Sequence, residues 1–381
     1  MRIVHTESSV VMGGQERRVL AESLGMRDRG HDVWIATPPG GALAERAAAV
    51  GLDVIPLSFR RSLLPISARS LASVVRRVKP DVLNSHSSAD SWSAALARWL
   101  GPLPGALVRS RHISARVAPG TLHRFLYGQA DHVITTGESV RADLAASGLV
   151  PPDRSTSIPT GVNLERFQPL PGRRADARQF LGVEAEGPVI GVVAYLRRDK
   201  GHAVLLRAIP RILTSQPACS LVIVGDGPER INLEALAREL GIETSVRFAG
   251  LREDIPIVLS AFDIFCQPSV RNEGVPQSVL QAGAAELPVV STTVGGIPEA
   301  VVHGETGFVV PPDDPGELAG AISTLLADAR LRSRMGQAGR RHVSQRFSVQ
   351  RMLDLTEEAY SAARRSARSR GESASPGSPV P

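Results

Sequence analysis

The sequence predicts an α/β protein made of two Rossmann-like, doubly wound domains, each with a parallel sheet covered by helices. Short β-branched runs alternate with Ala-rich amphipathic stretches along most of the 381 residues. That alternation is typical of parallel strands with helices on both faces. A Pro- and Gly-rich segment at 151–172 interrupts it, after which the same rhythm begins again. At about 100–200 residues per domain, the length also fits two domains.

In the first half, six runs predict strands: RIVHT, DVWIAT, LDVIPL, DVLNSH, ALVRS and HVITT. Gln15–Arg29 is a predicted helix that ends at Gly30, and Ser88–Leu100 is another, ended by GPLPG. In the second half the predicted strands are PVIGVVAY, SLVIVGDG, SVRFAG, FDIFCQPS, LPVVSTT and GFVVPP. Ligands of such sheets bind beyond the carboxyl ends of the strands. We therefore expect the two sheets to face each other across a cleft.

We place the first domain at residues 1–168 and expect a C-terminal helix at about 346–362 to rejoin it. The second domain is predicted at 169–345. From about residue 361 the chain reads SAARRSARSRGESASPGSPVP, without apolar periodicity. Such a composition cannot bury enough surface to offset the entropy of ordering, so we predict a disordered tail over 363–381.

Composition excludes several classes of protein. The net charge is +6, of which +3 lies in residues 361–381, with four arginines against one glutamate. Because half of the positive charge is in this C-terminal segment, the remaining part of the chain carries only +3, and no nucleic-acid partner is expected. Only Lys79 and Lys200 are lysines, which indicates a coding bias toward arginine. No apolar run is long enough for a membrane span, and no secretory signal is visible. Cys219 and Cys266 lie in or beside apolar runs, as buried small hydrophobic residues do. Because two such cysteines form no disulfide framework, we expect a cytoplasmic protein.

The first candidate motif is VVAYLRRDKGH, in which a strand runs into a cationic loop. Arg197, Arg198 and Lys200 cluster just before a helix that starts near His202. The free N–H groups of a helix N-terminus make such a place a natural anion site. A solvated basic turn is the alternative.

The second candidate is LVIVGDGPER, where Gly225 and Gly227 follow a strand and precede a helix. Arg230 stands where a dinucleotide-binding fingerprint needs its third glycine. A tight strand-to-helix turn explains the glycines equally well. Because the fingerprint is incomplete and no carboxylate for the ribose is suitably spaced after it, an NAD-dependent dehydrogenase is disfavoured.

The third candidate is the segment EGVPQSVLQAG, followed by LPVVSTTVGGIPE. Glu273 and Gln281 are eight positions apart, separated by a turn that contains Gly274 and Val275. Both side chains can therefore face a ligand that lies over the helix N-terminus. The loop from Gly295 to Glu299 is a further place where backbone can approach a ligand closely.

Taken in order, these blocks resemble the large retaining family 4 of the GT-B glycosyltransferases. The turn Gly13-Gly14-Gln15-Glu16 and the segment IPTGVNLERFQP fit the same pattern, which runs from Arg2 to Tyr360. The resemblance implies transfer of a sugar from a nucleotide-diphosphate sugar to a hydroxyl of a glycan or lipid-linked acceptor, with retention of configuration. It further implies no cofactor and no bound metal, and a role in cell-envelope or polysaccharide biosynthesis.

The resemblance implies a catalytic set of Lys200, Glu273, His112 and one arginine. Lys200 would stabilise the leaving diphosphate together with an arginine five positions earlier, but Tyr195 occupies that position. We favour Arg197 as the replacement because its two-residue offset matches strand alternation. Glu273 would bind sugar hydroxyls near the reacting carbon, and His112 would lie near donor sugar and acceptor. The expected donor-binding residues are Gly14, Tyr195, Arg198, Gly225, Gly227, Gly274, Val275, Gln281 and Glu299, and His86 is expected to line the acceptor side.

Two of these residues depart from the family pattern. Gln281 replaces a glutamate that grips the ribose, and an amide makes weaker hydrogen bonds to a hydroxyl than a carboxylate does. Together with Tyr195, this leaves a catalytically weak nucleotide-sugar-binding protein as one alternative. A GT-B nucleotide-sugar 2-epimerase is another.

Peripheral membrane contact stays open at this point. The stretches Leu57–Pro65 and Arg109–Arg124 combine arginines with apolar neighbours. Each such cation contributes about 1 kcal/mol near an anionic bilayer. Solvated loops explain the same composition equally well.

Overall fold

The computed structural model describes residues 1–112, 117–184 and 186–373. The chain divides into two compact units: Met1–Thr160 with the C-terminal segment from Gln350 form one, and Gly161–Val349 form the other. The units thus divide at residue 160, earlier than the predicted 168. Within the second unit, the backbone of Gly161 lies so close to that of Val349 that a side chain would collide with it. This close approach of main chain, which the sequence does not display, joins the two ends of the second unit.

In its described residues, the first unit contains a seven-stranded parallel sheet with the order β3-β2-β1-β4-β5-β6-β7. The strands are β1 (Arg2–Thr6), β2 (Asp32–Thr37), β3 (Asp53–Pro56), β4 (Val82–Ser85), β5 (Ala106–Arg111), β6 (His132–Thr135) and β7 (Ser155–Ser157). The helices between them are α1 (Gly14–Asp28), α2 (Ala42–Ala49), α3 (Leu64–Val78), α4 (Ser88–Trp99), α5 (Thr121–Gly128) and α6 (Glu138–Ala146).

Six of these strands match predicted runs, whereas β7 lies inside the segment that the sequence indicated as a linker. It has only three residues, all polar, and occupies the sheet edge beside β6. A short polar edge strand carries no hydrophobic periodicity, so the sequence gives no signal for it.

In its described residues, the second unit contains a six-stranded parallel sheet with the order β10-β9-β8-β11-β12-β13. Its strands are β8 (Val189–Val193), β9 (Ser220–Val224), β10 (Val246–Gly250), β11 (Ile264–Gln267), β12 (Val289–Thr292) and β13 (Gly307–Val310). Its helices are α7 (Arg174–Leu181), α8 (His202–Ser215), α9 (Arg230–Glu239), α10 (Ile255–Ser260), α11 (Gln277–Ala284), α12 (Ile297–Ala300), α13 (Pro315–Ala327) and α14 (Ala329–Arg346). The chain is therefore an α/β protein of two doubly wound units.

The C-terminal helix α15 (Val349–Ser373) packs on the first unit and corrects the prediction of a disordered tail. That prediction is wrong for 363–373, because Ala363 is fully buried and two arginines of the helix find acidic partners. Arg364 pairs with Asp81 at 3.0 Å and Arg370 with Asp131 at 2.6 Å. The rest of the predicted tail, 374–381, lies outside the described residues.

Apolar side chains fill both faces of each sheet. The largest buried clusters lie in the second unit, around α8 and α13 on one face and α10 and α11 on the other. Cys219 and Cys266 are buried, as expected for small hydrophobic residues. Among the described residues, no helix is both long and apolar enough to cross a membrane.

Candidate active site

An ion pair lies at the carboxyl edge of the second unit's sheet. After β8, the loop from Ala194 to Gly201 carries Lys200, whose Nζ donates to Oε1 of Glu273 at 2.5 Å. Glu273 belongs to the turn that leads into α11. The two side chains are only 18% and 7% exposed. The structure therefore brings together the two residues expected to handle the leaving group and the sugar.

Neutral side chains from the end of β11 hold the Glu273 carboxylate in place. Ser269 Oγ donates to Glu273 Oε1 at 2.7 Å, and Gln267 Nε2 approaches the same oxygen at 3.4 Å. Ser278 Oγ in turn donates to Gln267 Oε1 at 3.2 Å. The three hydrogen bonds from Lys200, Ser269 and Gln267 all end on Oε1 of Glu273, and no described residue hydrogen-bonds its Oε2. Gln267 and Ser269 were not predicted from the sequence, although polar residues at a strand's carboxyl end are a usual signal of a site.

Two glycines allow the loops around the ion pair to touch. Gly201 has φ 72° and lies against the carbonyl oxygen of Pro268, while Gly295 has φ 57° and lies against that of Glu273. A Cβ at either position would collide with main chain and would also adopt the left-handed region that favours glycine. These glycines thus fix the position of the Glu273 turn relative to its neighbours.

The arginines expected to assist Lys200 have other partners in this structure. Arg197 pairs with Asp199 at 2.8 Å, and Arg198 pairs with Glu229 at 3.2 Å with its side chain 86% exposed. Tyr195 is more than half exposed. Of the loop's three cations, Lys200 is the one that contacts Glu273.

The other predicted donor residues lie along the same edge. Gly225 and Gly227, after β9, pack against the backbone of Ala194 and Leu196, which gives them a structural reason to be glycine. Gly296, next to Gly295, packs against Gly274. The remaining predicted positions are Val275, which is buried, and Gln281 in α11 and Glu299 in α12, which are both half-buried.

At the carboxyl edge of the first unit's sheet, three histidines form a hydrogen-bonded chain across adjacent strands. His5 lies on β1, His86 directly follows β4 and His112 directly follows β5. His5 Nδ1 is 2.9 Å from His86 Nε2, and His86 Nδ1 is 3.0 Å from His112 Nε2. Burial lowers the pKa of all three imidazoles. The structure thus joins the predicted His86 and His112 and adds His5.

A second polar group follows β1. Glu7 Oε1 accepts hydrogen bonds from the backbone N–H of Ser8 at 2.8 Å and of Ser9 at 2.9 Å, and the hydroxyl of Ser87 also donates to it. Gln15 Nε2 donates to Glu7 Oε2 at 2.5 Å. Glu7 was not predicted from the sequence, although it directly follows the predicted strand RIVHT.

Asp90, on α4, accepts a hydrogen bond from Thr6 Oγ1 at 2.7 Å and from the backbone N–H of His86 at 2.9 Å. Burial, with the nearby charge of Glu7 as the next cause, raises its pKa to about 7.

Gly14, at the start of α1, has no described atom within 4 Å of the place where its Cβ would be. The backbone at Gly14 is therefore open to a ligand. Groups of three or more metal-ligating side chains do not occur among the described residues.

The two parallel sheets, each with polar side chains at its carboxyl edge, can be compared with those of known proteins. UDP-bound HepE from Anabaena superposes with a TM-score of 0.84 at 23% identity, covering 95% of this chain and 100% of that one. The fold is GT-B.

Two family models match successive parts of the chain: "Glycosyltransferase Family 4" over residues 12–166 and "Glycosyl transferases group 1" over 173–342. A GDP-mannose-dependent phosphatidylinositol monomannoside mannosyltransferase of Mycolicibacterium smegmatis is 32% identical over 78% of this chain and 80% of its own length. A D-inositol 3-phosphate glycosyltransferase of Saccharomonospora viridis is 30% identical over 92% and 90%. The chain belongs to the family-4 glycosyltransferases.

Proposed function

We propose that this glycosyltransferase moves a sugar from a nucleotide-diphosphate sugar to a hydroxyl of a glycan or lipid-linked acceptor, with retention of configuration. The observation that carries the proposal is the Lys200–Glu273 pair at 2.5 Å at the sheet edge. An ammonium at this place can stabilise the charge that grows on a departing diphosphate. The carboxylate keeps Oε2 for a sugar hydroxyl. A cell-envelope or polysaccharide pathway fits this chemistry.

The proposed mechanism is front-face substitution. The bond from the anomeric carbon to the diphosphate oxygen breaks, and its electron pair leaves with the diphosphate. The acceptor hydroxyl forms the new C–O bond on the same side and gives its proton to a phosphate oxygen. Lys200 stabilises the phosphate charge during this step, while Glu273 orients the sugar. No metal takes part in the proposed step.

The choice of donor follows from the relatives. Because the M. smegmatis relative is named for GDP-mannose, that donor comes first in a screen that also includes UDP- and ADP-sugars. A ligand that binds the folded protein raises its melting temperature, so a thermal-shift series ranks the donors. Labelled donor with candidate acceptors then tests transfer. A labelled free nucleotide sugar epimerised at C2 would support the epimerase alternative, and binding without turnover would support a binding protein.

We also propose that the enzyme works at the cytoplasmic face of the membrane, where lipid-linked acceptors lie. Leu63 and Ile66 at the start of α3 and Leu122 at the start of α5 are 43%, 57% and 69% exposed. Arginines accompany them at positions 60, 61 and 124. Leu57 and Phe59, by contrast, belong to the core, so the first candidate stretch is narrower than its sequence suggested. Sedimentation with anionic and with neutral liposomes tests this contact, and equal binding to both would contradict it.

A further inference from the structure

A row of hydrogen-bonding side chains leads from α11 to the carboxylate of Glu273. Ser278 Oγ donates to Gln267 Oε1 at 3.2 Å, and Gln267 Nε2 donates to Ser269 Oγ at 2.9 Å. The row ends where Ser269 Oγ donates to Glu273 Oε1 at 2.7 Å. Ser269 is fully buried and Gln267 is almost so. Bulk solvent therefore does not reach the middle of the row, and its members depend on one another for hydrogen bonds.

The geometry fixes the direction of this row. Gln267 Nε2 lies 2.9 Å from Ser269 Oγ and 3.4 Å from Glu273 Oε1. The hydroxyl of Ser269 has a single proton, which can serve only one of its two neighbours. If the amide of Gln267 were reversed, its carbonyl oxygen would face both groups, and one pair of acceptors would be left without a proton between them. The NH₂ group must therefore point at Ser269, whose own proton is then free for Glu273.

The backbone that carries Gln267 and Ser269 is held by the neighbouring strand β12. Ser291 Oγ donates to the carbonyl oxygen of Gln267, and Thr292 Oγ1 donates to that of Ser269, both at 2.6 Å. Both hydroxyl-bearing residues are buried. The hydroxyl of Ser269 is thus placed by its main chain as well as by the amide of Gln267. Hydrogen-bond donors that are already in place need no rearrangement while a substrate reacts.

Lys200 contacts the same oxygen of Glu273 but has a second task in the proposed mechanism. Its ammonium carries three N–H donors, one of which is directed at Glu273 Oε1 at 2.5 Å. A diphosphate that draws the ammonium toward itself would weaken this contact. Ser269 and Gln267 are neutral, buried and bonded to β12, so they would not follow the phosphate. They can keep Glu273 in place while Lys200 changes partner.

We propose that Ser269 is a positioning residue, supported by Gln267, that holds Oε1 of Glu273 independently of Lys200 so that Oε2 accepts a hydrogen bond from a hydroxyl of the donor sugar. The hold on the carboxylate follows from the row and its surroundings. The sugar as the ligand of Oε2 rests on the proposed transferase function. Functional side chains need such neighbours, because a loosely held group loses its productive geometry.

The first experiment measures the coupling of Ser269 to Glu273 by unfolding in urea. Ser269→Ala, Glu273→Ala and the double variant are compared with the wild-type protein. Residues in direct contact give non-additive changes in stability, whereas independent residues give additive ones. We expect Ser269→Ala to destabilise the wild-type protein and to have much less effect once Glu273 is alanine. Additive changes overturn the proposed hold.

The second experiment separates positioning from a purely structural role. The ligands are the nucleotide sugar that the thermal-shift screen selects and the nucleoside diphosphate of the same base. Ser269→Ala should lower kcat/KM for the nucleotide sugar about tenfold, as loss of one hydrogen bond to a charged group does. Its Kd for the nucleoside diphosphate, which has no sugar for Glu273 to bind, should stay the same. Equal weakening of both ligands overturns the positioning role.

Two further variants are compared in the same assays. Ser269→Thr keeps the hydroxyl and should recover most of the loss; a loss equal to that of Ser269→Ala, at equal stability, contradicts the role of the hydroxyl. Ser260→Ala is the matched control, because Ser260 ends α10 before β11 begins and donates to the carbonyl oxygen of Ile257 at 2.6 Å. It should leave kcat/KM unchanged. If the wild-type protein neither binds nor turns over a nucleotide sugar, the proposed function fails and the sugar ligand with it, while the urea experiment still decides whether Ser269 holds Glu273.

Discussion

Replacement of Lys200 by methionine tests the central ion pair. The change keeps the length of the side chain and removes its charge. Two unit charges 4 Å apart interact by about 4 kcal/mol at an effective dielectric constant of about 20. Lys200 is only 18% exposed, so this dielectric suits its position better than that of water. At about 1.4 kcal/mol per tenfold change in rate, loss of the interaction with a leaving phosphate lowers kcat by about 10³.

The assay is steady-state release of nucleoside diphosphate from the donor that the thermal-shift screen selects. Lys79→Met is the matched control, because Lys79 is the other lysine and lies exposed at the end of α3. Ser269 still donates to Glu273 in Lys200→Met, so the carboxylate keeps one partner. Unfolding in urea, measured alongside, separates loss of fold from loss of chemistry. A fall in kcat of less than tenfold, or an equal fall in Lys79→Met, would refute the phosphate role.

Three further variants test the surroundings of the two edges. Tyr360→Phe removes the hydroxyl that donates to buried Glu22, so the free energy of unfolding in urea should fall by about 1–3 kcal/mol; an unchanged value would show that this bond contributes nothing. Asp90 has a folded pKa of about 7, above its ordinary value, so stability should decrease as the pH rises from about 4 to 7. In Asp90→Asn this part of the pH dependence should flatten, and a retained slope would assign it to another group. Gly295→Ala should lower both stability and activity because φ is 57° and the added methyl meets main chain, whereas Gly172→Ala, with open space around it, should change neither; equal behaviour of the two would contradict the account of the loop.

Much of the fold could be predicted because parallel strands buried on both faces leave a strong hydrophobic pattern. The runs that became β1 and β8 are examples. The edge strand β7 and the last turns of α15 left no such pattern. Helix α15 is ordered there by Arg364 and Arg370, whose partners Asp81 and Asp131 are distant in sequence. Pairings of that kind become visible only in the folded chain.

The candidate site divides in the same way. Lys200 and Glu273 lie in motifs that the sequence displays, and their roles, like the selection of His112, were implied by the resemblance to the family. His5, by contrast, looked like an ordinary strand residue. It joins the other two histidines through the strand order β1-β4-β5, which places His86 next to it and His112 beyond His86. The ion pair of Arg197 was not predicted either. In the structure Arg197 pairs with Asp199 of its own loop, whereas the sequence analysis expected it to stabilise the leaving diphosphate.

The most direct test of the central claim is the anomeric configuration of the first product, followed by ¹H NMR during turnover of an α-linked nucleotide sugar. The account predicts that the newly formed bond is α, with nucleoside diphosphate released in equal amount, and that Lys200→Met slows both signals together. A β-linked first product would contradict retaining transfer at this site.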